Sequence, residues 1–195
     1  MKMEHTTTME ATLAYAARGW AVLPLKPDNT PLTSNGVEDA TTRPEIIEYW
    51  WKRWTDANVA IATGERSGIV VVDVDWGNGG NDTLEELQIE VRSLPEPSFK
   101  STGDRLHYYF EHDGAYESFP LDEGIYIRAD GDYVVAPPST QLNGNQSWVN
   151  VRGRRVLTID EWIDGISYWS DDPPYPRPMC SDRLHYLRGL YERRG

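Results

Sequence analysis

The sequence predicts an α+β fold, a mixed, antiparallel-rich sheet flanked by helices. Three observations lead there. Residues 68–75 read Gly-Ile-Val-Val-Val-Asp-Val-Asp, and the β-branched run Ile69 to Val72 describes a buried strand. Residues 106–111 alternate, with Leu106, Tyr108 and Phe110 on one face and His107, Tyr109 and Glu111 on the other. Helical stripes interrupt such strands without a strict βαβ rhythm, which favours α+β, or a mixed α/β arrangement around antiparallel strands.

The elements follow in order. Residues 9–18 are rich in helix formers, with Leu13, Ala16 and Ala17 at helical spacing and Gly19 where a C-cap stands. Residues 20–24 read as a short strand, and 26–42, with Pro27, Asn29, Pro31, Asn35 and Gly36, as loop. Thr42 is placed to cap a helix over 44–54 that has Pro44 in its first turn. Its Tyr49, Trp50, Trp51 and Trp54 are expected to pack on the sheet. Residues 59–63 form another strand, ended by Gly64, just before the strand at 68–75. Leu84, Leu87 and Val91 stripe a helix over 83–94, which Pro95 and Pro97 end. Residues 125–128 and 133–136 are strands on either side of the turn 129–132, and 148–151 is a further strand. A helix is expected over 160–168, a Pro-rich linker over 171–178 and a short helix over 184–194.

Bulk properties narrow the classes. A chain of 195 residues can bury a full core, and its single cysteine, Cys180, excludes an internal disulfide and a Cys-rich zinc site. No apolar run approaches the ~20 residues that span a bilayer. The polar start lacks a secretory apolar region, so a soluble, cytoplasmic protein is expected. The net charge of −12 argues against indiscriminate binding to nucleic acid. The tail reverses that sign: residues 177–195 carry Arg177, Arg183, Arg188, Arg193 and Arg194 against Asp182 and Glu192.

The strand at 68–75 ends in two carboxylates spaced i, i+2, so Asp73 and Asp75 face the same side. Two like charges at a buried strand end call for a cation, and Mg²⁺ or Mn²⁺ suits carboxylate oxygens. The residues alone leave a second reading open, a strand that runs out into solvent at the turn Trp76-Gly77-Asn78-Gly79-Gly80.

Several segments, in this order and spacing, resemble one family. They are Gly19-Trp-Ala-Val-Leu-Pro24, Asp39-Ala-Thr-Thr42 with the Trp50-Trp51 helix, Asn58-Val-Ala-Ile-Ala-Thr-Gly64, Ser67 through Asp75, Arg105-Leu-His-Tyr-Tyr-Phe110, and Arg128 with Tyr133-Val-Val-Ala-Pro-Pro-Ser139. Together they resemble the bifunctional DNA primase/polymerase N-terminal domain of the archaeo-eukaryotic primase superfamily, over about residues 10–152. The resemblance implies that superfamily's RRM-like catalytic core, a domain over 10–169, and a Pro-rich linker with a basic C-terminal helix over 170–195. It implies template-directed nucleotidyl transfer, as in replication proteins of phages, plasmids and mobile elements in bacterial or archaeal hosts. The implied partners are nucleoside triphosphates, single-stranded DNA or a primer–template, and a helicase, present as a downstream domain or a separate protein; no membrane is involved.

Carried over residue by residue, the resemblance makes Asp73 and Asp75 the metal-binding acidic pair and His107 the contact to the incoming nucleotide's phosphates. Arg105 and Arg128 each offer a planar fork to phosphate; a salt bridge to a nearby acid is the competing reading. Lys26 reads first as a solvated loop lysine and second as a phosphate or template contact, and Trp76 is the best-placed tryptophan to stack on a base.

Two departures bear on mechanism. Where the family has a Gly-hydrophobic-Asp-hydrophobic-Arg strand, this chain has Gly124-Ile-Tyr-Ile-Arg128, with Tyr126 at the third carboxylate position. A phenol, with a pKa of ~10, is a poor Mg²⁺ ligand. Where the family often has consecutive glycines, this chain has Gly103-Asp104. Asp122, Glu123, Asp130 or Asp132 could stand in as ligand; the site could hold one ion and react slowly; or the domain could bind nucleotide, nucleic acid or a replication partner without synthesis. A different metal-dependent phosphotransfer or phosphohydrolase activity on the same fold is a further reading.

Overall fold

The computed structural model describes residues 7–91, 99–102, 105–112, 114, 117–141, 144–145 and 147–149. The helices expected over 160–168 and 184–194, the linker over 171–178, the arginine-rich tail and the Gly103-Asp104 pair lie outside the described residues.

The first helix, α1 (Thr8–Ala17), starts at a reciprocal cap: Thr7 Oγ1 accepts from the Glu10 amide, and the Glu10 carboxylate accepts from the Thr7 amide. Gly19, at φ +89°, ends it as expected. The strand β1 (Val22–Leu25) begins later than residue 20, because the Trp20 amide bonds to Tyr15 O and the Ala21 amide to Ser67 Oγ. In α2 (Pro44–Arg53) the cap is not Thr42 but Arg43, which makes no side-chain cap bond. Pro44 at the first helical position keeps Arg43 extended and thereby fixes the boundary one residue later.

Next come β2 (Asn58–Ala62), β3 (Ile69–Asp75) and α3 (Gly80–Val91). The third helix starts three residues before Thr83, as soon as Gly79 at φ +81° closes the preceding turn. The remaining strands are β4 (Phe99–Thr102), β5 (Arg105–Glu111), β6 (Phe119–Asp122), β7 (Ile125–Arg128), β8 (Tyr133–Ala136), β9 (Thr140–Gln141), β10 (Gly144–Asn145) and β11 (Ser147–Val149). Short segments such as β4 and β6 carry little alternation to read. Pro120 sits in β6, which is an edge strand, where a missing N–H is tolerated.

The named strands pair antiparallel throughout, in a six-stranded sheet of order β11-β4-β5-β3-β7-β6, a three-stranded sheet β1-β2-β8 and the small pair β10-β9. This is the α+β, antiparallel-rich fold the sequence predicts. The turn at 129–132 does not close a hairpin: it carries the chain from β7 in the large sheet to β8 in the small one. The segment after β8 is tied back to β2 and α1. Ser139 Oγ bonds both the amide (2.9 Å) and the carbonyl (3.1 Å) of Val59, and Tyr15 Oη donates to Pro137 O.

Strand β3 is central and buried on both faces, which explains its continuous apolar run. Ile69 and Val71 join Tyr15, Trp20, Ile47, Trp51 and Tyr109 in the core under α1 and α2. Val70, Val72 and Val74 join Leu84, Phe110, Ile125 and Ile127 on the opposite face. By strand alternation Asp73 and Asp75 continue the row of Ile69 and Val71, so the acidic pair lies at the end of the first core.

Candidate active site

Register places the expected residues together. In the antiparallel ladders, Asp73 is opposite His107 of β5 and Tyr126 of β7, while Asp75 is opposite Arg105. Arg128, two residues beyond Tyr126, shares its face. Asp73, Asp75, Arg105, His107 and Arg128 are thus brought to one patch by three neighbouring strands.

The two acids are buried, with side chains only 3% and 10% exposed. The open-strand reading therefore fails: the chain turns at Trp76–Asn78, and this turn grips Asp75. Its Oδ1 accepts from the Gly77 amide at 3.0 Å and its Oδ2 from Asn78 Nδ2 at 2.7 Å. Gly80 and Gly124 let the start of α3 approach the β6–β7 turn. A Cβ on Gly124 would overlap the Gly80 backbone, and the Asp75 amide donates to Gly124 O at 2.7 Å.

Both arginines turn onto the acids. Arg105 spans the pair, with Nη1 2.6 Å from Asp73 Oδ2 and Nη2 2.6 Å from Asp75 Oδ2. Arg128 bonds Asp73 Oδ2 through Nε (3.0 Å) and Nη2 (2.9 Å), and reaches Asp132 Oδ2 with Nη1 at 3.1 Å. The competing salt-bridge reading of these arginines is thus the one observed, and the acids are those of the site. The Tyr126 ring centroid is 6.0 Å from the guanidinium of Arg105 and 5.0 Å from that of Arg128, in cation–π range.

His107, itself buried, sets Nε2 3.4 Å from Asp73 Oδ1, an electrostatic contact longer than a good hydrogen bond. That buried Oδ1 accepts no hydrogen bond among the described residues. Burial pushes the Asp73 carboxyl up, but His107, Arg105 and Arg128 outweigh it and hold the pKa down at about 2. Asp73 is therefore ionised at neutral pH.

The donor set suits one hard divalent cation: two carboxylates on one face, one with a buried oxygen that neither arginine takes. It does not supply three carboxylates. Among the described residues, no group of three or more His, Cys, Asp and Glu side chains could hold a metal ion. Asp132 is engaged by Arg128, Asp130 Oδ1 accepts the Glu65 amide at 2.7 Å, and Asp122 Oδ1 accepts the Glu123 amide at 2.7 Å. Lys26 is exposed in its loop, and Trp76, directly after Asp75, is 48% exposed.

Sequence reasoning missed two things here, the Asn78 contact to Asp75 and the bridging of the pair by Arg105. The second had a signal, since opposite charges that face each other across adjacent strands attract, but only once the register is known.

Residues 12–162, most of the chain, match the family model described as bifunctional DNA primase/polymerase, N-terminal. No curated protein matches the chain.

Proposed function

The chain belongs to the family of bifunctional DNA primase/polymerase N-terminal domains, and on that premise we propose that it performs template-directed nucleotidyl transfer at the Asp73/Asp75 end of β3. Primase/polymerase-type nucleotidyl transfer is the activity of the family, and it implies binding of nucleotides and DNA. The observation that carries the proposal for this site is the juxtaposition, on one sheet face, of two buried carboxylates with His107 beside them.

In this reading Asp73 and Asp75 hold Mg²⁺ or Mn²⁺. A bound ion of that kind would activate the primer 3′-oxygen and offset charge on the pyrophosphate. His107, with Arg105 or Arg128, holds the triphosphate through charge-assisted hydrogen bonds. The 3′-oxygen attacks the α-phosphorus of the nucleotide; a new phosphodiester bond forms, and the bond to the departing pyrophosphate breaks. The Mg²⁺ or Mn²⁺ requirement, a single-stranded or primer–template DNA, a helicase partner, a cytoplasmic setting in a bacterial or archaeal host, a phage or plasmid gene, and a domain over 10–169 followed by a linker and basic helix over 170–195 all belong to this proposal. No helix among the described residues is long and apolar enough to cross a membrane.

A second reading has its own support. Tyr126 faces Asp73 where the family has a carboxylate, and both acids are already neutralised by arginine. These observations favour a domain that binds nucleotide, nucleic acid or a replication partner without synthesis.

Thermal melting with Mn²⁺ and a nucleoside triphosphate together tests the first reading. At ligand 100-fold above its dissociation constant, linkage predicts ~2.7 kcal/mol of added stability. An unchanged melting temperature at saturating concentrations would contradict it.

A further inference from the structure

We infer that Arg105 is a built-in counter-cation of the acidic pair, and that a divalent ion must displace its guanidinium before it can bridge Asp73 and Asp75. The inference rests on the reading of this pair as the metal site. It goes beyond that reading by assigning a competitor for the site from within the chain.

The geometry is specific to Arg105. Its two terminal nitrogens reach one carboxylate each, both at 2.6 Å, so one planar fork consumes Oδ2 of both acids. Arg128 touches only Asp73 of the pair and divides itself with Asp132. Among the described residues, Arg105 is the one cation that contacts both acids. An ion held by both acids would compete with that guanidinium for the negative charge of the pair. Asp73 Oδ1 is taken by neither arginine and has His107 Nε2 3.4 Å away.

Electrostatics explains why such a residue stabilises the fold. Two adjacent buried carboxylates are costly unless a cation is held between them. The guanidinium supplies that cation without any ion from solution. Arg105 is also placed to leave. Its side chain is 33% exposed while both acids are buried, so it can swing toward solvent without disturbing β3. A triphosphate offers the same fork a denser set of anionic oxygens. The nucleotide would therefore draw Arg105 off the pair and raise the pair's affinity for the metal.

The test is Mn²⁺ binding without nucleotide, followed by electron paramagnetic resonance of free Mn²⁺ and by melting temperature. Wild type is compared with Arg105→Gln and Arg105→Lys. The glutamine variant should bind Mn²⁺ at least about tenfold more tightly, the equivalent of ~1.4 kcal/mol. Mn²⁺ should also raise its melting temperature more than that of wild type. Asp73→Asn and Asp75→Asn in the glutamine background should abolish the gain. Lysine keeps a charge but cannot fork to both acids, so its affinity should fall between the two; it carries the test if the glutamine variant does not fold. Wild type binding Mn²⁺ as tightly as the variants, or no binding by any of them, overturns the inference. Absence of primer extension by folded wild type, with the Mn²⁺ gain of the variants intact, would instead count against the proposed synthesis and leave the role of Arg105 standing.

Discussion

Tyr126 lies directly opposite Asp73 in the antiparallel register of β7 and β3, so its phenol occupies the place from which a further carboxylate would meet the acidic pair. The guanidiniums of Arg105 and Arg128 lie 6.0 and 5.0 Å from its ring, so an anion at that position would meet two cations beside the acidic pair. Tyr126→Asp should therefore fold and should raise Mn²⁺-dependent primer extension by roughly tenfold or more, the scale on which groups around a metal alter activity. The idea fails if the variant folds and binds Mn²⁺ but gains no extension.

The depressed Asp73 pKa has a stability consequence. The folded value is about 2, below the ~3.9 of an unfolded aspartate, so ionised Asp73 favours the native state. That contribution is fully present above about pH 4 and is lost as pH falls through about 2, amounting to on the order of 2 kcal/mol. The groups facing Asp73 from the flanking strands are Arg105, His107, Tyr126 and Arg128. Urea denaturation across that window should show wild type losing its advantage over Asp73→Asn. A constant difference between the two proteins would mean that Asp73 is not coupled to this network.

The Gly80–Gly124 approach holds the turn against Asp75. Gly124→Ala adds a Cβ that overlaps the Gly80 backbone, on top of the ~1–2 kcal/mol of a left-handed residue with a side chain. Gly131→Ala is the control, because Gly131 has φ +75° but open space around its Cβ position. Chemical denaturation should find Gly124→Ala clearly the more destabilised of the two, and its extension activity should fall with it. Equal losses would show that the close approach contributes nothing.

Trp76 stands next to Asp75 with half its surface exposed, so it can be removed without opening a core. Trp76→Ala should leave the melting temperature unchanged and weaken single-stranded DNA binding by ~1–3 kcal/mol, the worth of one stacked base. Fluorescence anisotropy with a labelled oligonucleotide checks this. Unaltered affinity would remove Trp76 from the DNA path.

Much of the fold was legible because the long elements carry strong local signals. The run Ile69–Val72 marks a strand buried on both faces, and the alternation along β5 separates Leu106, Tyr108 and Phe110 in one core from Tyr109 in the other. Weak signals failed where local chemistry decides the boundary: Pro44 moved the cap of α2 to Arg43, and Gly79 advanced the start of α3. The site residues were legible as types but not as partners. Nothing local to Arg105 says that it faces Asp75; that follows from the pairing of β5 with β3, a relation between residues thirty positions apart. The same holds for the turn at 129–132, whose residues specify a reversal but not a change of sheet.

The central claim is that the Asp73/Asp75 end of β3 is where nucleotides are joined. Primer extension on a labelled primer–template, with all four nucleotides and Mg²⁺ or Mn²⁺, tests it most directly beside an Asp73→Ala/Asp75→Ala double variant. The wild-type chain should extend the primer and the folded double variant should not. Extension that survives in the double variant, or none by folded wild type under conditions where a competent polymerase works, would contradict it.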